Sequence, residues 1–327
     1  MKKILLTATA MIAMAGAAAA DSITIYTGGA PTGEGSAYHE GIGQGVADFL
    51  EPIADRLGME IKLVPTKGAV DNAKRLATHD GIAFGIGQGG LVYDEIEAGK
   101  TKLLRKDLPG ECAMSFTAEP RIGNWGDIVS NANRITWVVP EDSGSEAFIR
   151  KLYAEDANFD GEPRFKFVTG AENIIATVGN PANRGTVGFY YAYPRGNAGL
   201  VNMAAKEDMS VFGVLSPDVA KLDDAFYLNR QAPYQMAYWG LGETKKTRAM
   251  CSKALLMATD PANITDPWAQ ADAAEIMAAV KAASAQAFVP KNGPLAGLMA
   301  KVEEMSDEFG INEMVADLEA QVQKSGR

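Results

Sequence analysis

The sequence predicts an α/β protein of two lobes, and three observations carry that prediction. Short apolar runs alternate with helix-spaced segments across polar turns, the pattern of a parallel sheet covered by helices. The same rhythm restarts near residue 111 with no linker-like composition between the two series. The chain is 327 residues long, more than a single core ordinarily organises.

The elements follow in order. Residues 1–20 read as an export signal: Lys2 and Lys3 form a basic start, Ile4 to Gly16 is apolar, and Ala17–Ala20 offers small residues for cleavage after Ala20. Removal would leave 307 residues with a formal charge of −12 in place of −10, since two lysines go with it. SITIYTGG then reads as a strand, AYHEGIGQGVADFLEPIADRL as a helix and EIKLVPT as a second strand. AVDNAKRLATHD has helical spacing, IAFGIG is a third strand, and GLVYDEIEAG opens another helix. Three glycine-rich or polar turns, GGAPTGEGS at 28–36, PTKGAVDN at 65–72 and FGIGQGG at 84–90, fall at the strands' carboxyl ends. In a parallel α/β sheet those ends face the ligand crevice.

The second series runs ECAMSFTA, a connection over Arg121 to Asn131, RITWVVP, a DSGSE turn, the helix AFIRKLYAED, and then FKFV, ENIIATVGN, GTVGFYYAYP and SVFGVL. From 241 onward helices are expected over Lys245–Ala258, Pro267–Phe288 and Pro294–Gln323. Two restarts without a linker imply strands that cross between the lobes, placed near 111–119 and 209–216. Residues 21–115 and 216–327 then form lobe 1, discontinuous in sequence, and 116–215 form lobe 2.

Composition narrows the function. An acidic chain lacks the basic stripe that nucleic acid demands, so no nucleic-acid partner is expected. Cys112 and Cys251 are the two cysteines; an exported chain favours one long-range disulfide, and two buried thiols are the other reading. With two cysteines and two isolated histidines no metal site is expected, and no cofactor motif appears: the glycines match neither a P-loop nor a dinucleotide fingerprint. No nucleophile elbow surrounds Ser36 or Ser145, so no catalytic residue is assigned.

What the turns do offer is donors. Around Ser36, Thr66–Gly68 and Ser143–Ser145, hydroxyls and free backbone N–H groups gather where helices begin, as an anion requires. Ordinary capping of each helix is the competing reading. Tyr190, Tyr191 and Tyr193 follow a strand and can stack on a ligand, though alternation sends at least one into a core. Arg121, Arg150, Arg164, Arg184 and Arg195 all belong to the second series, where one can clamp a carboxylate.

TGG…GSAYHEG at 27–41, VPTKGAVDN at 64–72, FGIGQGG at 84–90 and DSGSE at 142–146 together resemble the TAXI family of solute receptors. That resemblance implies a type II periplasmic-binding-protein fold, with a ligand cleft between lobes and a helical C-terminal segment. It implies a receptor for a small organic acid or amino acid, serving the membrane permease of a TRAP transporter; the alternatives are a receptor of an ABC importer, which uses the same fold, and, behind both, an exported enzyme of that fold. Carried over by position, the ligand contacts are Ser36, Tyr38, Thr66, Lys67, Asn72, Gln88, Ser143 and Ser145, with Tyr191 added as an aromatic wall. Ala37, His39, Ala69 and the Gly89-Gly90 pair depart from the family's residues at those places.

Overall fold

The computed structural model describes residues 22–29, 41–88, 90–92, 96–99, 101–170, 172–192, 200, 203–204, 207–221, 226–236 and 243–288. Residues 1–20, Ser36, Tyr38, Tyr193, Arg195 and the helix expected over Pro294–Gln323 lie outside them.

The first lobe starts from three parallel strands. β1 (Ser22–Tyr26) pairs with β2 (Glu60–Val64) on one side and with β3 (Ile82–Gln88) on the other. Helix α1 (Gln44–Leu57) buries Val46, Ala47, Leu50 and Ala54 against them, a helical stripe, and ends at Gly58 in the left-handed region at φ 69°. Helix α2 (Ala69–Leu76) follows β2 and buries Ala69, Asn72, Ala73 and Leu76. β3 is buried along its whole length, which explains its unbroken apolar and glycine run.

Two strands of 17 residues, β4 (Thr101–Thr117) and β10 (Glu243–Thr259), carry the sheet into the second lobe. There, helix α3 (Trp125–Ser130) precedes β5 (Thr136–Pro140), helix α4 (Gly144–Glu155) leads to β6 (Arg164–Val168), and helix α5 (Glu172–Val178) leads to β7 (Thr186–Ala192). β8 (Ser210–Gly213), the short helix α6 (Pro217–Lys221) and β9 (Phe226–Met236) come before β10, and helix α7 (Pro267–Ala282) follows it. The strand order is β2-β1-β3-β10-β4-β7-β5-β6, with β8 paired to β4 and β9 to β10.

Two cores flank the crossing strands. The first gathers Ile23, Ile25, Leu50, Phe84, Leu108, Leu256 and Ile276; the second gathers Ala113, Trp137, Phe148, Phe189, Val214, Val219 and Met250. β4 passes from the first core to the second between Leu108 and Ala113, and β10 returns between Met250 and Ala254. Cys112 and Cys251 face each other at that junction, as direct partners in the ladder, and are joined by a disulfide. The chain is therefore the two-lobed α/β fold that the sequence predicts, and the disulfide is formed.

Two local expectations need correcting. Lys245–Ala258, expected as a helix, is strand β10. Its Ala, Leu, Met and Lys residues favour helix locally, but it lies between β3 and β4, and every residue from Ala249 to Ala258 except Lys253 is buried. A strand covered on both faces loses the alternation that would reveal it. The connection over Arg121 to Asn131 contains α3, started by a capping box in which the Asn124 side chain takes the Asp127 N–H and Asp127 answers the Asn124 N–H.

Candidate ligand cleft

Between the lobes lies a cleft of about 590 Å³, within the usual range for small-molecule sites of about 300–1,000 Å³. One wall comes from the first lobe: Gly29, Thr66, Lys67, Gly68 and Gln88. The facing wall comes from the second: Pro140, Glu141 and Ser143–Ser145 after β5, Phe167–Gly170 after β6, and Tyr190 and Tyr191 near the end of β7. Each contribution sits at a strand's carboxyl end, where parallel strands leave their turns.

The first-lobe wall is shaped by Asn72. Its side chain is fully buried; the amide donates to the Ile86 carbonyl at 2.7 Å and accepts the Thr66 hydroxyl. Thr66 in turn accepts the Gly68 N–H at 3.3 Å. Asn72 thus lies behind the wall and fastens the turn to β3, while Thr66 and Lys67 line the cleft. Gly68 has φ 126°, a conformation that side-chain-bearing residues rarely adopt, and it lets α2 begin at the cleft surface. Asn72→Ala is expected to cost about 2 kcal/mol through the partners left unpaired, read as a lowered denaturation midpoint at unchanged m-value.

The second-lobe turn opens α4. Ser143 is its N-cap: the hydroxyl accepts the Glu146 N–H at 3.2 Å and donates to the Pro140 carbonyl at 2.6 Å. Capping therefore accounts for that side chain. Ser145, one residue into the helix, is buried, lines the cleft and makes no hydrogen bond through its hydroxyl among the described residues. The two helix starts meet: a Cβ on Gly68 would stand 3.4 Å from the Gly144 nitrogen, and Lys67 Nζ lies 2.7 Å from Asp142 Oδ2. Lys151 also reaches across to donate to the Gly90 carbonyl at 2.9 Å. Lys67 and Asp142 are both about half exposed, so their pairing orients the rims more than it stabilises the fold.

At the floor, Glu111 of β4 and Ser252 of β10 lie between Gln88 of β3 and Tyr191 of β7. Ser252 stands opposite Glu111, and Tyr191 stands opposite Ala113, two residues along from Glu111. Gln88 donates through Nε2 to Glu111 Oε2 at 3.2 Å, which turns its amide oxygen towards Gly144. Tyr191 is 2% exposed and packs on Phe148 and Phe189, yet its hydroxyl has no hydrogen-bond partner among the described residues. Burial, with the nearby Glu111 carboxylate adding to it, holds this phenol well above its ordinary pKa, so it stays a neutral donor.

Of the expected contacts, Thr66, Lys67, Gln88, Ser143, Ser145 and Tyr191 are brought together on the cleft. Among the described arginines of the second series none lines it. Arg150 pairs with Glu146 and covers Phe165, Arg164 donates to the Asn133 carbonyl, and Arg121 lies beside Glu119. Sequence reasoning missed Glu111 and Phe167. A glutamate at the head of the apolar run ECAMSF signalled the first, and the Phe165/Phe167 alternation in RFKFV signalled the second.

Among the described residues no cluster of three or more His, Cys, Asp or Glu stands ready for a metal ion, and no helix is long and apolar enough to cross a membrane. No protein-family model matches the chain, and no curated protein does. Solved structures similar to it include the GluR0 ligand-binding core in complex with L-glutamate, at 9% identity and a TM-score of 0.44, covering 83% of this chain and 97% of that one. The periplasmic binding protein BugD is 12% identical with a TM-score of 0.42, covering 90% and 97%. XAC2383 from Xanthomonas citri, bound to chloride ion, is 13% identical with a TM-score of 0.42, covering 88% and 99%.

Proposed function

We propose that this protein is an exported, periplasmic solute receptor that captures a small carboxylate-bearing solute by lobe closure and hands it to a membrane permease. One observation carries the reading. The starts of α2 and α4 converge on a single cleft whose floor holds a buried, unpartnered Tyr191 hydroxyl. Helix starts present unpaired N–H groups and partial positive charge, which suit a carboxylate. A solute would satisfy Tyr191 and Ser145 together. Thr66, Lys67, Gln88 and Ser143 shape the same wall, and Ser36 and Tyr38 are assigned to the adjoining loop by the family motif.

The reading is of binding without turnover: beside hydroxyls, amides and backbone N–H groups the cleft carries the Lys67 ammonium and the Glu141 carboxylate, and no described side chain there pairs a nucleophile with a base. Closure would turn about β4 and β10, the strands that pass between the cores. The order of the four sequence motifs favours a TRAP permease as the recipient. An ABC importer is the alternative, and a permease pull-down from membranes separates the two.

Native mass spectrometry of the purified protein, before and after denaturation, is the direct test, followed by thermal shift across organic acids and amino acids. A stoichiometric carboxylic acid released on unfolding is the expected result. Tyr191→Phe should weaken its binding roughly tenfold, the value of one hydrogen bond to a charged group, with the melting temperature of the empty protein held. An empty protein that no solute stabilises would sink the receptor reading.

A further inference from the structure

The two walls of the cleft differ in chemistry, and the difference concerns the kind of solute. The first-lobe wall is glycine, hydroxyl, amide and ammonium; the second-lobe wall has polar groups too, at Glu141, Ser143, Ser145 and Thr169, but adds an apolar patch of Phe167, Val168 and Tyr190. Phe167 is 42% exposed, one of two large hydrophobic side chains left open among the described residues. The other, Trp268, lies at the start of α7 and does not line the cleft. A phenyl ring with this much of its surface left in water, set into a concave site, offers a face for apolar contact.

Phe167 is also held in place. Its ring stacks on Phe165 with centroids 5.3 Å apart and planes at 17°, and the Arg150 guanidinium covers Phe165 at 4.8 Å. Arg150 is itself fixed by Glu146 on the same helix, four residues back. The row Arg150–Phe165–Phe167 therefore runs along the face of β6 and ends at the cleft. A ring orientated in this way loses little freedom when a flat partner stacks on it.

We propose that the solute is a monocarboxylate with an aromatic or bulky apolar body: the carboxylate sits at the starts of α2 and α4 beside Tyr191, and the body lies on Phe167, Val168 and Tyr190. This deepens the receptor reading and rests on it. A single carboxylate fits the layout, because the cation on the cleft is Lys67 on the first-lobe wall, while the second-lobe wall carries Glu141 and no described cation to receive a second charge.

The test uses isothermal titration of the full mature protein, freed of retained solute by unfolding and refolding. The probes are phenylacetate, acetate, succinate, L-glutamate and inorganic phosphate. Phenylacetate should bind at least tenfold more tightly than acetate or succinate. Phe167→Ala should remove most of that preference while leaving acetate binding unchanged, since acetate has no body to lie on the ring. Tighter binding of succinate, glutamate or phosphate, or a preference for phenylacetate that survives Phe167→Ala, overturns the proposed class and leaves the receptor standing. Failure of every probe, in a protein that also releases no solute on denaturation, overturns both.

Discussion

Gly144→Ala is expected to abolish lobe closure while leaving the fold intact. A Cβ at this position would stand 2.2 Å from Gln88 Oε1 and 3.0 Å from its Cδ. Gln88 is a side chain with some freedom, but it is buried and held by Glu111, so moving it breaks that hydrogen bond inside the floor. The alternative is for α4 to draw back from β3, which parts the lobes. Gly144 has no left-handed backbone requirement and opens a helix, so alanine strains nothing locally.

Solute affinity should therefore fall about a hundredfold, or nearly 3 kcal/mol, with a melting temperature close to that of the parent. Small-angle scattering should show a larger radius of gyration in the presence of solute. Adding Gln88→Ala removes the obstructing head, and the double variant should regain the compact form. A Gly144→Ala protein that closes and binds normally would show that the two helix starts need not meet.

The second large effect concerns the junction. Replacing Cys112 and Cys251 together by alanine is expected to destabilise the protein by about 5 kcal/mol, because the bond closes a loop with a sequence separation of 139 residues. For a chain of this size that corresponds to a fall in melting temperature of roughly 10 °C. Wild type heated with dithiothreitol should approach the same midpoint once reduced, whereas the variant should not respond to the reductant. The effect should be one of stability above all: β4 and β10 remain paired on both sides of the junction, and the cleft groups stay in register. A midpoint within 2 °C of wild type would mean that the ladder alone holds the junction.

How much of this was legible in the sequence depends on whether local pattern or distant pairing decided the element. β1 to β3 and the helices between them carried both signals at once, alternating runs and turns with glycine where the backbone needs it, as at Gly68. Thr66, Lys67 and Ser145 could be placed near the crevice because each comes just after a strand's carboxyl end, whereas Gln88, the last residue of β3, was named from the family motif alone. β10 was misread because its placement depends on β3 and β4, more than a hundred residues earlier, and its composition speaks for a helix. Asn72 was singled out as a contact, but only the fold reveals that its amide is turned inward to Ile86. Register puts Glu111 behind Gln88, and edge position brings Phe167 to the cleft, neither of which any window of sequence records.

The placement of β10 has a consequence for the order in which the molecule can assemble. The first core needs Ala254, Leu256 and Ala258, together with Ile276 and Val280 from α7, to cover β3 and α1. All of these come after the last residues that the second core takes from the chain. A chain that emerges from its amino end must therefore carry an unfinished first lobe through the delivery of the entire second one. β3 waits meanwhile as an open edge, with Phe84 and Ile86 ready to pair. The second lobe can settle early; the first is sealed last, by the strand that brings Cys251 to Cys112.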